Sequence, residues 1–164
     1  MLAGILGCLM TWSATPAQAQ QTRFESGISE ASSLARIFTD WQVFCEQDQP
    51  CRMSQAVAQP ATGRVILQVK VFGGDEPTLL VSFPLGILLG PGWRYRIDSG
   101  PEIVVPFEIC DMNGCHAGVP LQADLLRSMQ RGNRMKVTFF DAARTPVEPV
   151  VSLAGFTSAW NALD

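Results

Sequence analysis

Reactive side chains are scarce in this chain: of 164 residues one is histidine, one is tyrosine and five are cysteine. It contains no Cys-x-x-Cys redox pair, no P-loop, no Gly-x-Gly-x-x-Gly after a strand and no His-Glu-x-x-His helix. Those absences remove thioredoxin-like, nucleotide-dependent and zinc-protease chemistry. Positive charge is thin as well. Twelve Lys and Arg stand against fifteen Asp and Glu, giving a net charge of −3 and a pI near 5.1. No basic cluster offsets that balance, so no nucleic-acid partner is expected. Long apolar runs are also missing, because the one at the N-terminus is shorter than the roughly 20 residues a membrane-spanning helix needs.

That short run, Met1 to Trp12, is apolar apart from Thr11 and leads into Ser-Ala-Thr-Pro-Ala-Gln-Ala-Gln. Ala17 and Ala19 have the spacing of a signal-peptidase site, so residues 1–19 are read as a secretory leader cut after Ala19. The mature chain is then expected to carry no transmembrane anchor. Cys8 has too few residues before it for a lipoprotein leader. Residues 20–40 are mixed and polar, and are expected to be a flexible lead-in with a short helix near Ser33 to Phe38.

Removing the leader leaves four cysteines, an even number suited to an oxidising compartment. Cys110 and Cys115 bracket an Asn-Gly sequence in Pro106 to Val119, and Cys45 and Cys51 follow the strand-like Trp41-Gln42-Val43-Phe44. Four cysteines permit three connectivities and the sequence alone does not choose among them. Nearness favours Cys45 with Cys51 and Cys110 with Cys115, each closing a short loop.

From Trp41 onward apolar residues alternate with polar ones, the period of half-buried strands. Strands are expected at Trp41–Glu46, Cys51–Ala56, Arg64–Phe72, Thr78–Phe83, Trp93–Asp98, Val104–Cys110, Met135–Phe140 and Val147–Ser152. Asn113-Gly114 is expected to supply the positive φ of a tight turn after Val104–Cys110. Pro84 to Gly92 is apolar but broken by glycine and proline, which suits a buried loop crossing between sheets. Leu121, Leu125 and Met129 recur at helical spacing, with Pro120 at a first position and Gly132 as a cap. Leu153, Phe156, Trp160 and Leu163 outline a second short helix. Trp41, Trp93, Phe107 and Trp160 fall in apolar patterns and read as core anchors. The fold class expected is all-β, an antiparallel β-sandwich or partly closed barrel with one or two short packed helices, in a single domain over residues 41–164.

Chemistry is harder to find. His116 directly follows Cys115, but a thiol nucleophile must be reduced, and these cysteines are read as paired. Zinc is disfavoured because five and four residues separate the two cysteine pairs, which does not match common zinc spacings in both halves. Asp98, Glu102, Glu108 and Asp111 are the carboxylates around the cysteine turn, and no spacing selects two of them for acid–base work. Arg94 and Arg96 share one strand face, read as solvated. No catalytic residue, metal or cofactor is expected.

The order Trp41-x-Val43-x-Cys45, Cys51 with Gln55, Phe83-Pro84-Leu85-Gly86, Pro106-Phe107-Glu108-x-Cys110, Gly114-Cys115-x-Ala117 and Ser152-Leu153-x-Gly155-Phe156-x-x-Ala159 resembles the invasion-associated locus B family of Gram-negative bacteria. The match runs from Trp41 to the C-terminus. It implies an exported all-β domain without known catalysis, tied in some pathogens to host-cell attachment or entry. It also implies paired cysteines, carried onto Cys45, Cys51, Cys110 and Cys115. The expectation is therefore a non-enzymatic envelope or secreted protein, periplasmic, outer-membrane associated or released, that contacts an envelope or host protein. The alternative is an extracytoplasmic enzyme with a site around His116 and a nearby carboxylate. A pocket holding His116 beside a carboxylate favours the alternative, whereas an exposed apolar patch at Leu85 to Leu89 favours partner binding.

Overall fold

Alternation of apolar and polar side chains builds two antiparallel sheets in the computed structural model, which describes residues 35–46 and 49–163. The leader with Ala17 and Ala19, and the lead-in up to residue 34, lie outside the described residues. The first sheet holds β1 (Arg36–Phe38), β2 (Trp41–Glu46), β3 (Gln49–Ala58), β4 (Val65–Phe72), β5 (Thr78–Phe83), β8 (Ile109–Asp111) and β9 (Gly114–Pro120). Their spatial order is β1-β2-β3-β4-β5-β9-β8. The second holds β6 (Trp93–Ile97), β7 (Ile103–Val105), β10 (Arg134–Phe140), β11 (Pro146–Val147) and β12 (Val150–Ser152), with β10 pairing β6 on one side and β11 and β12 on the other. The two helices are α1 (Ala123–Arg131) and α2 (Phe156–Trp160). The sheets do not close into a barrel, so of the two expected architectures the fold is the sandwich.

One residue in two along β4, β5 and β10 faces the shared core. Leu67, Val69 and Val71 of β4, Leu79, Val81 and Phe83 of β5, and Met135, Val137 and Phe139 of β10 are all buried, and they form one cluster with Trp41 and Trp93. Each such side chain contributes about 1.5–3 kcal/mol when removed from water. Phe83 joins the sheets: its ring lies 5.3 Å from Phe139, edge to face, and 5.4 Å from Trp93. Phe156 of α2 meets Trp41 edge to face at 5.1 Å. Trp41 and Trp93 are thus interior anchors, while Phe107 and Trp160 are half-buried and pack against the cluster from its margin.

Several expectations are corrected. Arg36–Phe38, expected within a helix, is the edge strand β1 paired to β2. Val104–Cys110 is not one strand: β7 belongs to the second sheet and β8 to the first, with Pro106 between them. Proline has no N–H to continue a ladder, so the chain can leave one sheet there and join the other. Pro149 falls within the break between β11 and β12, which divides Val147–Ser152, but both strands pair with β10 and the chain stays in the second sheet. The first helix begins at Ala123, with Gln122 at the N-cap position but making no side-chain capping bond, because Pro120 still belongs to β9. Gly132 does cap it, its N–H bonding Ser128 O at 2.8 Å. Its φ is −77°, and what demands glycine is space, since a β-carbon would stand 2.6 Å from Ile97 Cγ2. Pro84 to Gly92 does cross between sheets but is not buried: Leu85 and Leu89 are exposed, and Ile87 and Leu88 hold the loop to Asp141 and Phe140. Among the described residues no helix is long and apolar enough to cross a membrane.

Candidate functional site

Strand alternation sends Leu79, Val81 and Phe83 of β5 inward, so Ser82 faces outward. Antiparallel pairing sets Ser82 directly opposite His116 of β9, and His116 opposite Ile109 of β8. The β8–β9 hairpin turns through Met112 and Asn113, with Asp111 opposite Gly114. The expected Asn113-Gly114 turn is thus displaced by one residue: Asn113 does not take a positive φ, whereas Gly114, which opens β9, does at 149°, and any β-carbon there would run into the carbonyl oxygen of Phe83. Glycine therefore lets the hairpin lie close against β5.

His116 is held at both ring nitrogens. Nδ1 lies 2.9 Å from Ser82 Oγ and Nε2 lies 3.3 Å from Asp111 Oδ1. Asp111 also accepts the Asn113 N–H at 2.6 Å. That backbone bond first, and the His116 contact second, hold the Asp111 carboxyl below the usual carboxylate range. With the ring proton on Nε2, donated to Asp111, Nδ1 accepts the Ser82 hydroxyl proton. This is the order of nucleophile, base and orienting carboxylate. Ser82 itself lines a groove of about 340 Å³ whose apolar walls include Val65, Leu85 and Met112. However, Ser82 lies inside a strand paired on both sides, so its neighbouring backbone N–H groups serve the sheet rather than an oxyanion.

Of the four carboxylates read from the sequence, only Asp111 reaches His116. Asp98 accepts the backbone N–H groups of Asn133 and Arg134 at 3.0 and 3.1 Å. Glu102 sits between Arg94 and Arg96, at 3.5 and 3.7 Å. The Glu108 carboxylate lies over Gly118, 3.5 Å from where a β-carbon would be. Cys110 and Cys115 face each other across β8 and β9 with their sulfurs at disulfide distance, beside His116. Cys45 and Cys51 stand likewise at disulfide distance across the β2–β3 hairpin, where the register shifts. No group of three His, Cys, Asp or Glu among the described residues is placed to hold a metal ion. Ser82 was not legible as a site residue. Alternation assigns its face, but its partner is 34 residues away, and only register brings them together.

The same groove is rimmed by three exposed apolar side chains. Val65 is 51% exposed, Leu85 53% and Met112 90%, around the one groove. The apolar patch thus includes Leu85 as expected but gathers Val65 and Met112 rather than the rest of the 85–89 loop.

Comparison with known proteins agrees with this architecture. The family model described as "Invasion associated locus B (IalB) protein" matches residues 41–164. Two curated relatives, each an invasion protein B homolog, from Brucella abortus strain 2308 and from B. abortus biovar 1 strain 9-941, are both 31% identical over 140 residues, covering 79% of this chain and 78% of the relative. The crystal structure of invasion associated protein B from Bartonella henselae superposes with a TM-score of 0.72 at 23% identity, covering 80% of this chain and 96% of that one, and so shares the fold. With the family model spanning the sandwich from its first core tryptophan, Trp41, to the C-terminus, this chain belongs to the invasion associated locus B family.

Proposed function

We propose that this chain is an exported envelope or secreted domain that works by contact with another protein, and that the contact face is the groove rimmed by Val65, Leu85 and Met112. The observation that carries this reading is the convergence of three large exposed apolar side chains from three separate segments, β4, the crossover loop and the β8–β9 turn, on one concavity. Clustered apolar exposure of this kind costs solubility unless something covers it. Membership of a family whose relatives carry the name invasion protein, and two cysteine pairs at disulfide distance, support placement outside the cytoplasm. The test is crosslinking in the native cell, followed by identification of captured proteins. Leu85→Asp and Met112→Asp should each deplete one captured envelope or host protein while leaving the unfolding midpoint unchanged. Capture that is indifferent to both substitutions would exclude this face.

A second reading, acyl transfer at Ser82, has its own observation in the Ser82–His116–Asp111 chain. It requires the Gln68 and Asn113 side-chain amides, which line the same groove, to stabilise an oxyanion in place of backbone donors. Incubation with a fluorophosphonate probe decides it. Labelling that disappears in Ser82→Ala and His116→Ala supports the enzyme, and an unlabelled wild-type chain removes it.

A further inference from the structure

The outer face of the first sheet, turned away from the core, has a pattern of its own. Trp41 and Val43 of β2, Met53 of β3, and Leu67 and Val69 of β4 are buried, so the alternate positions Gln42, Ser54 and Gln68 point outward, as Ser82 does on β5. Gln42 stands opposite Ser54, and Gln68 stands opposite Ala56 on one side and Ser82 on the other. Four neighbouring strands therefore each present an uncharged amide or hydroxyl, across about 14 Å or three strand spacings.

These side chains border a depression. The walls of a hollow of about 260 Å³ include Asp40, Gln42, Phe44, Ser54, Ala56 and Gln68. Gln68 also lines the Ser82 groove, so one side chain borders both hollows.

The polar groups of this hollow are uncommitted. Ser54 and Gln68 are half-buried, yet neither they nor Gln42 makes a side-chain hydrogen bond among the described residues. Gln55, next to Ser54 and turned the other way, is spent on Ser152. A primary amide offers two donors and an acceptor, and a hydroxyl offers one donor and also accepts. Half-buried groups of this kind are normally satisfied, so three without a protein partner in one concavity are available to a ligand.

Charge and shape narrow the class of that ligand. Among the described residues, Asp40 is the one charged residue lining this hollow and Arg64 the one lining the Ser82 groove, so the two linings together carry no net charge. An extended peptide would need apolar pockets for its alternate side chains. Phe44 is the one large apolar side chain lining the hollow, and Arg52 already lies over its ring at 5.6 Å. A row of neutral donors and acceptors is complemented by a neutral chain that carries hydroxyl groups along its whole length.

We propose that the hollow between Asp40 and Gln68 binds a neutral oligosaccharide laid across β2, β3 and β4, with sugar hydroxyls bonded to the Gln42 and Gln68 amides and the Ser54 hydroxyl, and with Asp40 accepting a hydroxyl proton at one end. The site makes no use of Val65, Leu85 or Met112 and does not depend on the contact role given to them.

The experiment is a nuclear magnetic resonance titration of the purified, nitrogen-labelled protein with maltotetraose, cellotetraose and chitotetraose, and with tetragalacturonate as an anionic counterpart. At least one neutral sugar should cause saturable shifts in the side-chain amide signals of Gln42 and Gln68 and in the backbone N–H of Ser54, with tetragalacturonate at least tenfold weaker. Loss of one neutral hydrogen bond is worth about fivefold in affinity, so Gln68→Leu should weaken binding by about that factor. Gln42→Leu combined with Gln68→Leu should abolish it. Both side chains point away from the core, so a spectrum as dispersed as that of the wild type is expected from the double variant. Leu85→Asp should leave the titration unchanged, which separates failure of this site from failure of the protein-contact reading. No saturable shift with any of the three neutral sugars overturns the proposal, as does undiminished binding in the double variant, equal binding of tetragalacturonate, or binding lost in Leu85→Asp.

Discussion

The side-chain amide of Gln55 reads the backbone of Ser152 across the sandwich as a neighbouring strand would: Nε2 donates to the Ser152 carbonyl at 3.0 Å, and Oε1 accepts the Ser152 N–H at 2.8 Å. Gln55 lies in β3 of the first sheet and Ser152 in β12 of the second. The indole Nε1–H of Trp41 donates to the same carbonyl at 2.9 Å. One backbone position is thus fixed by two side chains from the opposite sheet, four residues before α2 begins at Phe156.

Gln55→Leu keeps most of the side-chain volume but leaves the Ser152 N–H without its partner in a part-buried place. An unsatisfied group of that kind costs about 1–3 kcal/mol. Urea unfolding should show a lower midpoint with an unchanged slope, and Gln55→Glu should recover none of the carbonyl bond, because a carboxylate has no donor. A midpoint equal to wild type in Gln55→Leu would show that water replaces the amide.

The pairing proposed for the cysteines is Cys45 with Cys51 and Cys110 with Cys115. Non-reducing peptide mapping of the exported protein should recover those two linked peptides. Each small loop adds roughly 2 kcal/mol on the chain-entropy model, a sizeable part of a typical stability of about 5–15 kcal/mol. A peptide joining Cys45 to Cys110 or Cys115 would refute the local scheme.

Export predicts a processed N-terminus. Mass spectrometry of the protein from its native cell should find the mature chain beginning at Gln20, after Ala19. An intact Met1 in a cytoplasmic fraction would sink both the location and the oxidising environment that the cysteine pairs need.

Acid should destabilise the fold through two carboxylates. Asp111 is held below the usual range by the Asn113 N–H and by His116, and Glu148 by Lys136, 2.8 Å away. A carboxyl whose folded value is depressed contributes stability that is complete above its unfolded value. That stability is lost as pH falls through the folded value, here below about pH 4. Both groups are exposed, so the effect is a change of slope rather than collapse. Asp111→Asn and Glu148→Gln should each flatten the decline in urea midpoint between about pH 5 and pH 2; parallel declines in variant and wild type would contradict it.

Strands β2, β4, β5, β6 and β10 were legible because burial on one face imposes a period of two, and Leu79-x-Val81-x-Phe83 writes that period directly. The C-terminus of α1 was legible from Gly132. Where proline interrupts, the same rule misled: Val104, Val105, Phe107 and Ile109 look continuous, yet after Pro106 the chain leaves the sheet of Val104 and Val105, passes through Phe107 outside any strand, and joins the other sheet at Ile109. Residues 85–89 fitted either a buried crossing or an exposed contact patch, because an apolar composition does not say which of them the crossing loop turns outward.

What the sequence determined by itself is local: which residues face inward, where turns fall, and which cysteines are close along the chain. These follow from steric and solvation preferences acting over a few residues. Only the tertiary structure decided that Ser82 meets His116, that Gln55 meets Ser152 97 residues away, and that Gln68 borders two hollows on one sheet face. Such meetings are set by strand register and by how two sheets stack. A one-residue slip would turn every one of those side chains to the other face, and no local pattern carries that information.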